Sequence, residues 1–175
     1  MKYKYLTQGK RTIIDDDIYD TLKEYDNIFK WHTDKGRNTD YAASKRYKEN
    51  KVYLHHFILG CPLGNYVIDH IDNDGLNNQR SNLRIITYAQ NSAKSRRGNT
   101  GFPSVLFAKN GYQAAFVSNK KYYYLGRFKT AFEGFIAYRR KLQEIGEELL
   151  PEHENLYLDT INNYYTTLKE NQNAL

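Results

Sequence analysis

Three β-rich runs, Phe102 to Phe107, Tyr112 to Ser118 and Lys120 to Phe128, follow one another with only Lys109-Asn110-Gly111 and Ser118-Asn119-Lys120 between them. Asn and Gly accept the positive φ that tight hairpin turns demand, so this spacing predicts a three-stranded antiparallel meander. A small sheet of this kind needs a cover over one apolar face to be stable. The cover follows in the chain: Thr130 stands three residues before Glu133, the spacing of a capping box, at the head of Phe132, Phe135, Ile136, Leu142, Ile145 and Leu149. Residues 101–147 therefore predict a sheet backed by a helix. From Pro151 on, Leu156, Leu158, Ile161 and Leu168 predict a helical tail over 151–175, fraying at Asn171–Leu175.

Upstream the pattern changes. Residues 3–14 are short and mixed, and Asp15-Asp16-Asp17 ahead of Ile18, Leu22 and Tyr25 predicts one short helix with acids at its N-terminus. Phe29 and Trp31 are expected to anchor this N-terminal segment, residues 1–53, to a core. Gly36 to Asn50 is polar and basic. Val52 through Leu59 is apolar and ends at Gly60-Cys61-Pro62, which predicts one buried element closed by a turn. Tyr66-Val67-Ile68 reads as a short strand, Asp69 to Ser81 as a long loop dense in Asp, Asn and Gly, and Asn82 to Ser95 as a helix. The whole is of α+β class.

The charge of the chain is concentrated in its middle. Residues 1–74 hold 12 Lys and Arg against 12 Asp and Glu, and residues 133–175 hold 4 against 8, whereas residues 75–132 hold 10 against none. A solvated surface ordinarily mixes both signs, so an acid-free stretch of this length points to a polyanion, because phosphate neutralisation supplies most of the affinity for nucleic acid. Mean hydropathy is −0.81 and no apolar run approaches the roughly 18 residues that a bilayer crossing takes, so no membrane partner is expected. The N-terminus lacks an apolar signal core, and the single cysteine, Cys61, has no partner for a disulfide and excludes zinc-finger spacing. A cytoplasmic location is the expectation.

Asp69 and His70 stand side by side at the end of the predicted strand. A carboxylate beside an imidazole can divide labour, Asp69 holding a divalent cation and His70 deprotonating a water. Asn82 follows 12 residues after His70 and opens Asn82-Leu83-Arg84, and Asn91 follows 21 residues after it on the predicted helix. A calcium loop over Asp72-Asn73-Asp74-Gly75 is the competing reading, but the bidentate Glu expected at its twelfth position is absent.

This combination resembles the HNH endonuclease family, in particular its phage-type and homing members. The likeness runs through Leu54-His55-His56, Val67-Ile68-Asp69-His70, Asp72-Asn73, Gly75, Asn77-Asn78, Ser81-Asn82-Leu83-Arg84 and Gln90-Asn91, and covers residues 54–97. It implies a ββα-metal nuclease module that hydrolyses double-stranded DNA, with His70 as general base, Asp69 and Asn91 binding one Mg²⁺ or Mn²⁺, and Asn82 bracing the loop. Asn91 stands where many members of the family place a histidine, which favours the hard, oxygen-preferring ion over Zn²⁺. His55 matches a family histidine among apolar neighbours and is read as structural; His56, His32 and His153 are assigned no role.

Residues 101–147 resemble an AP2-like DNA-binding domain through Ser104-Val105, Tyr112-Gln113-Ala114-Ala115-Phe116, Tyr124-Leu125-Gly126-Arg127-Phe128 and the helix start at Thr130. Strand alternation sends Phe116 and Leu125 toward the helix and leaves Gln113, Ala115, Val117, Lys120, Tyr122 and Tyr124 on the open face. The expected DNA contacts are Arg84, Lys94, Arg96, Arg97, Gln113, Lys120, Tyr122 and Tyr124. The resemblance implies a phage or mobile-intron origin and a bacterial host. A monomer is expected, and the rival reading is a non-catalytic nucleic-acid-binding regulator with a degenerate nuclease site.

Overall fold

A computed structural model describes residues 1–45, 51–95 and 100–173. The chain divides into two units, Met1–Thr87 and Tyr88–Leu175.

The first unit begins with an antiparallel hairpin, β1 (Lys2–Tyr5) and β2 (Arg11–Ile14), in which Thr12 and Ile14 are fully buried. Helix α1 (Asp16–Glu24) follows with Asp16 and Asp17 in its first turn and buries Ile18 and Leu22, four residues apart on one face. Strands β3 (His32–Lys35), β4 (Asp40–Lys45) and β5 (Lys51–Tyr53) form an antiparallel sheet with β4 in the middle. Helix α2 (Leu54–Leu59) continues directly from β5 and stops at Gly60, whose φ of 80° is a left-handed conformation suited to glycine. The apolar run from Val52 to Leu59 is thus a strand end plus a helix, not one element. Leu6, Ile14, Ile18, Leu22, Phe29, Trp31, Ala42 and Leu54 make the core, with Phe29 stacked on Trp31 as anchors.

Strands β6 (Tyr66–His70) and β7 (Leu83–Thr87) then pair antiparallel, with Asp69 opposite Arg84 and His70 opposite Leu83. The loop between them ends in a 3-10 turn at Arg80–Asn82. The helix expected over Asn82–Ser95 is therefore half strand. Leu83 to Thr87 satisfies its backbone against β6, and only α3 (Tyr88–Ser95) is helical.

The second unit contains α3 and a sheet of β8 (Val105–Ala108), β9 (Gly111–Ser118) and β10 (Lys121–Phe128), ordered β10-β9-β8. Helix α4 (Ala131–Glu144) starts with a complete capping box: the Thr130 side chain accepts from the Glu133 backbone, and the Glu133 carboxylate accepts from the Thr130 backbone. Phe135, Tyr138 and Leu142 of α4 pack on Val105, Ala114 and Phe116, joined by Ala89 and Ala93 of α3. Helix α5 (Pro151–Asn173) runs helical to Asn173, past the expected fraying point. Among the described residues no helix is long and apolar enough to cross a membrane.

Candidate active site

The β6–β7 loop is held by its own side chains. Asp72 Oδ1 accepts the backbone N–H of Asp74 at 2.9 Å, and Asp74 Oδ1 accepts that of Leu76 at 2.9 Å, two successive Asx turns. Asn82, 9% exposed, reaches across the loop: its Oδ1 accepts the Asp72 backbone N–H at 3.1 Å, and its Nδ2 donates to the Asn77 carbonyl at 2.8 Å and to Asp72 Oδ1 at 2.9 Å. Burial of the Asp72 carboxylate opposes its ionisation, but the hydrogen bonds from Asp74, Asn77 and Asn82 outweigh it and hold its pKa below the usual carboxylate value. These bonds occupy Asp72 with loop architecture and explain why the Asp- and Asn-rich composition folds as it does.

The loop is also pinned to β2. Ile13 donates its backbone N–H to Leu76 O at 2.9 Å, Asn78 donates its own to Ile13 O at 2.8 Å, and Thr12 Oγ1 donates to Leu76 O at 2.7 Å. Gly75 donates its N–H to Thr39 Oγ1 and lies so close to β4 that a Cβ there would meet the Asp40 carbonyl oxygen and come within 2.6 Å of the Tyr41 ring. The glycine is required by this close approach.

The result is that Asp69 and His70, at the end of β6, are both buried. Asp69 Oδ2 accepts from Nε of Arg84 at 2.9 Å, across the strand pair. The His70 ring meets Tyr41 at 5.9 Å and His55 edge-on at 5.2 Å, and its Nε2 is 3.4 Å from Asn78 Oδ1. Burial lowers the His70 pKa below the ordinary imidazole value, against the opposing pull of Asn78 and of Asp72, Asp69 and Asp74. At neutral pH the ring is thus uncharged and able to take a proton. His55 lies stacked on Tyr53 at 5.3 Å with Nδ1 buried and unpartnered among the described residues; burial, then His56 and His70, push its pKa down to about 3. Burial and the nearby Asp69 charge raise the phenol of Tyr41.

Asn91 and Lys94 are on α3, in the second unit, and Arg96 and Arg97 fall outside the described residues. Gln113, Tyr122 and Tyr124 occupy the sheet face opposite α4, with Tyr122 and Tyr124 more than half exposed. Lys120 is not on that face: with Asn119 it forms the β9–β10 turn, both residues at positive φ, and β10 begins one residue later. Arg84, expected on DNA, is paired with Asp69 at 2.9 Å. Sequence reasoning missed Thr12, Thr39 and Tyr41, none of which belongs to a local motif.

A carboxylate at a strand end thus stands beside a histidine whose pKa burial lowers, next to a loop braced by an asparagine. Residues 52–93 match the HNH endonuclease family model. The matched segment holds His55, Asp69, His70, Asn78, Asn82, Arg84 and Asn91. An uncharacterised HNH endonuclease of Acanthamoeba polyphaga mimivirus is 33% identical over 96 residues, 52% of this chain and 49% of that protein. The chain thus spans about half the length of this relative. No solved structure matches the chain.

Among the described residues no three His, Cys, Asp or Glu side chains converge to enclose a metal ion. Asp69, at the end of β6, supplies a carboxylate, a donor of the right kind for a hard divalent ion.

Proposed function

We propose that the chain is a metal-dependent endonuclease of phage or mobile-intron (homing) type that hydrolyses double-stranded DNA. The observation that supports it most is His70, neutral at physiological pH, beside Asp69 at the mouth of a loop braced by Asn82, within the HNH match. In this reading His70 takes the proton of the attacking water, and Asn82 preserves the loop geometry that presents it. Asp69 and Asn91 would hold one Mg²⁺ or Mn²⁺, whose charge would stabilise the phosphate oxygens. Arg84 orients Asp69 across the strand pair, while Lys94, Arg96 and Arg97 neutralise the DNA backbone. The second unit positions the nuclease as an AP2-like reader through Gln113, Tyr122 and Tyr124, with Lys120 at the rim. The protein acts as a monomer in the cytoplasm of an infected bacterial host.

The Asp69–Arg84 pair gives one point to the regulator reading, because the guanidinium balances the carboxylate's charge without a metal ion. Incubation with supercoiled plasmid in Mg²⁺ or Mn²⁺, against EDTA, separates the two. Metal-dependent nicked or linear product that disappears in His70→Ala, with DNA binding by gel shift kept within a few-fold, supports the nuclease. Tight binding with no cleavage under any of these ions leaves the regulator.

A further inference from the structure

Asn78 is fully buried, and a buried carboxamide is held where its donors and acceptor are all matched. Its orientation follows from its neighbours. The Gly75 carbonyl can only accept, so the atom 3.2 Å from it is the amide nitrogen. Thr12 Oγ1 directs its single proton to Leu76 O, so at 2.9 Å from Asn78 it too is an acceptor and again faces the nitrogen. Both contacts assign Nδ2 to the β2 side and turn Oδ1 toward His70 Nε2, 3.4 Å away. A carboxamide oxygen has no proton to give. The bond therefore forms only when Nε2 carries the hydrogen, and in a neutral ring the lone pair is then on Nδ1.

We propose that Asn78, oriented by Thr12 and the Gly75 carbonyl, is a positioning residue for His70 that keeps its proton on Nε2 and makes Nδ1 the proton-accepting atom. This rests on the reading of His70 as general base. It extends the site beyond the HNH match at residues 52–93, since Thr12 lies on the N-terminal hairpin. That hairpin becomes a working part of the nuclease, tied to the catalytic ring through a single buried amide. Tyr41 and His55, packed on the same ring, limit its movement from other sides. A neutral imidazole without a fixed acceptor at Nε2 would divide between two tautomers, one of which cannot take a proton at Nδ1.

The test is long-range ¹⁵N–¹H correlation NMR of the full-length, metal-free protein at pH 7.5, with the His70 signals assigned by their loss in His70→Gln. The Nε2–H pattern is expected; a neutral His70 in the Nδ1–H form overturns the proposal, whatever the activity. In Thr12→Val the pattern should shift toward a mixture, and plasmid cleavage should lose roughly 10-fold in kcat with little change in KM, a fraction of the worth of a general base. Thr12→Ser keeps the hydroxyl and should restore the Nε2–H pattern. Asn78→Ala should act as Thr12→Val does but more strongly; if it does not fold, Thr12→Val carries the test alone. An unaltered tautomer in folded Thr12→Val overturns the role of Thr12. A wild-type protein with the Nε2–H form that fails to cut DNA sinks the general-base reading and leaves the ring's positioning standing.

Discussion

Lowering the pH from 7 to 5 is expected to destabilise the first unit by about 2 kcal/mol through His55 alone. The folded ring has its pKa pushed down to about 3 by burial and by the neighbouring histidines, against an ordinary value of 6.5. Between these two values the unfolded chain binds a proton that the folded chain refuses, so stability falls as pH falls. At pH 5 the unfolded imidazole is protonated in all but a few per cent of molecules and the folded one hardly at all. The loss is then set by the 1.5-unit gap between pH 5 and 6.5, at 1.36 kcal/mol per unit, or about 2 kcal/mol. A folded value one unit higher would barely alter it. Trp31 provides the assay: it is the only tryptophan in the sequence and lies in the core of the first unit, so its fluorescence in urea follows that unit. Wild type and His55→Phe, compared at pH 7 and pH 5, should differ in their pH dependence by about 2 kcal/mol, the variant being the less sensitive. Parallel losses in the two proteins would mean that His55 is not held neutral by burial.

Gly75→Ala should cost about 1–3 kcal/mol by the same fluorescence measurement, because the added methyl meets a carbonyl of β4 that cannot yield as a side chain could; a change under about 0.5 kcal/mol would refute the close approach. Replacing Lys94, Arg96 and Arg97 together by Gln should weaken DNA binding alike for all sequences and reduce the slope of log K against log salt by roughly 2–3, if each cation meets one phosphate. An unchanged slope would show these cations to be an ordinary helix end, where positive charge also suits the dipole.

Those parts of the molecule that depend on neighbours in the chain could be read from the sequence. The Thr130–Glu133 box, the Asn119 turn and the Ile18–Leu22 spacing each involve residues within four positions, and local backbone geometry decides them. Asp69-His70 could likewise be placed at a strand end, because the apolar run Tyr66-Val67-Ile68 stops there, whereas the bracing role of Asn82 came from the family resemblance. Elements stabilised from a distance were not legible. Leu83 to Thr87 has neither Gly nor Pro to separate it from the helix that follows, and it is a strand only because β6 offers it a ladder. Asp40 to Lys45 alternates too little to announce a central strand, and Ala42 and Ala43 are buried by what surrounds them. Lys120 was assigned to a strand face by alternation, whereas the two-residue turn claimed it with a positive φ that lysine seldom adopts.

The amino-acid sequence by itself determined which chemistry was available: a carboxylate, an imidazole and an asparagine at fixed separations, and an acid-free middle segment. Tertiary structure alone decided how that chemistry is held. Thr12 reaches Asn78 across 66 residues, and Tyr41 comes to lie on the His70 ring because Gly75 lets the loop approach β4. Such contacts are set by close packing of separate elements, and no local pattern encodes them.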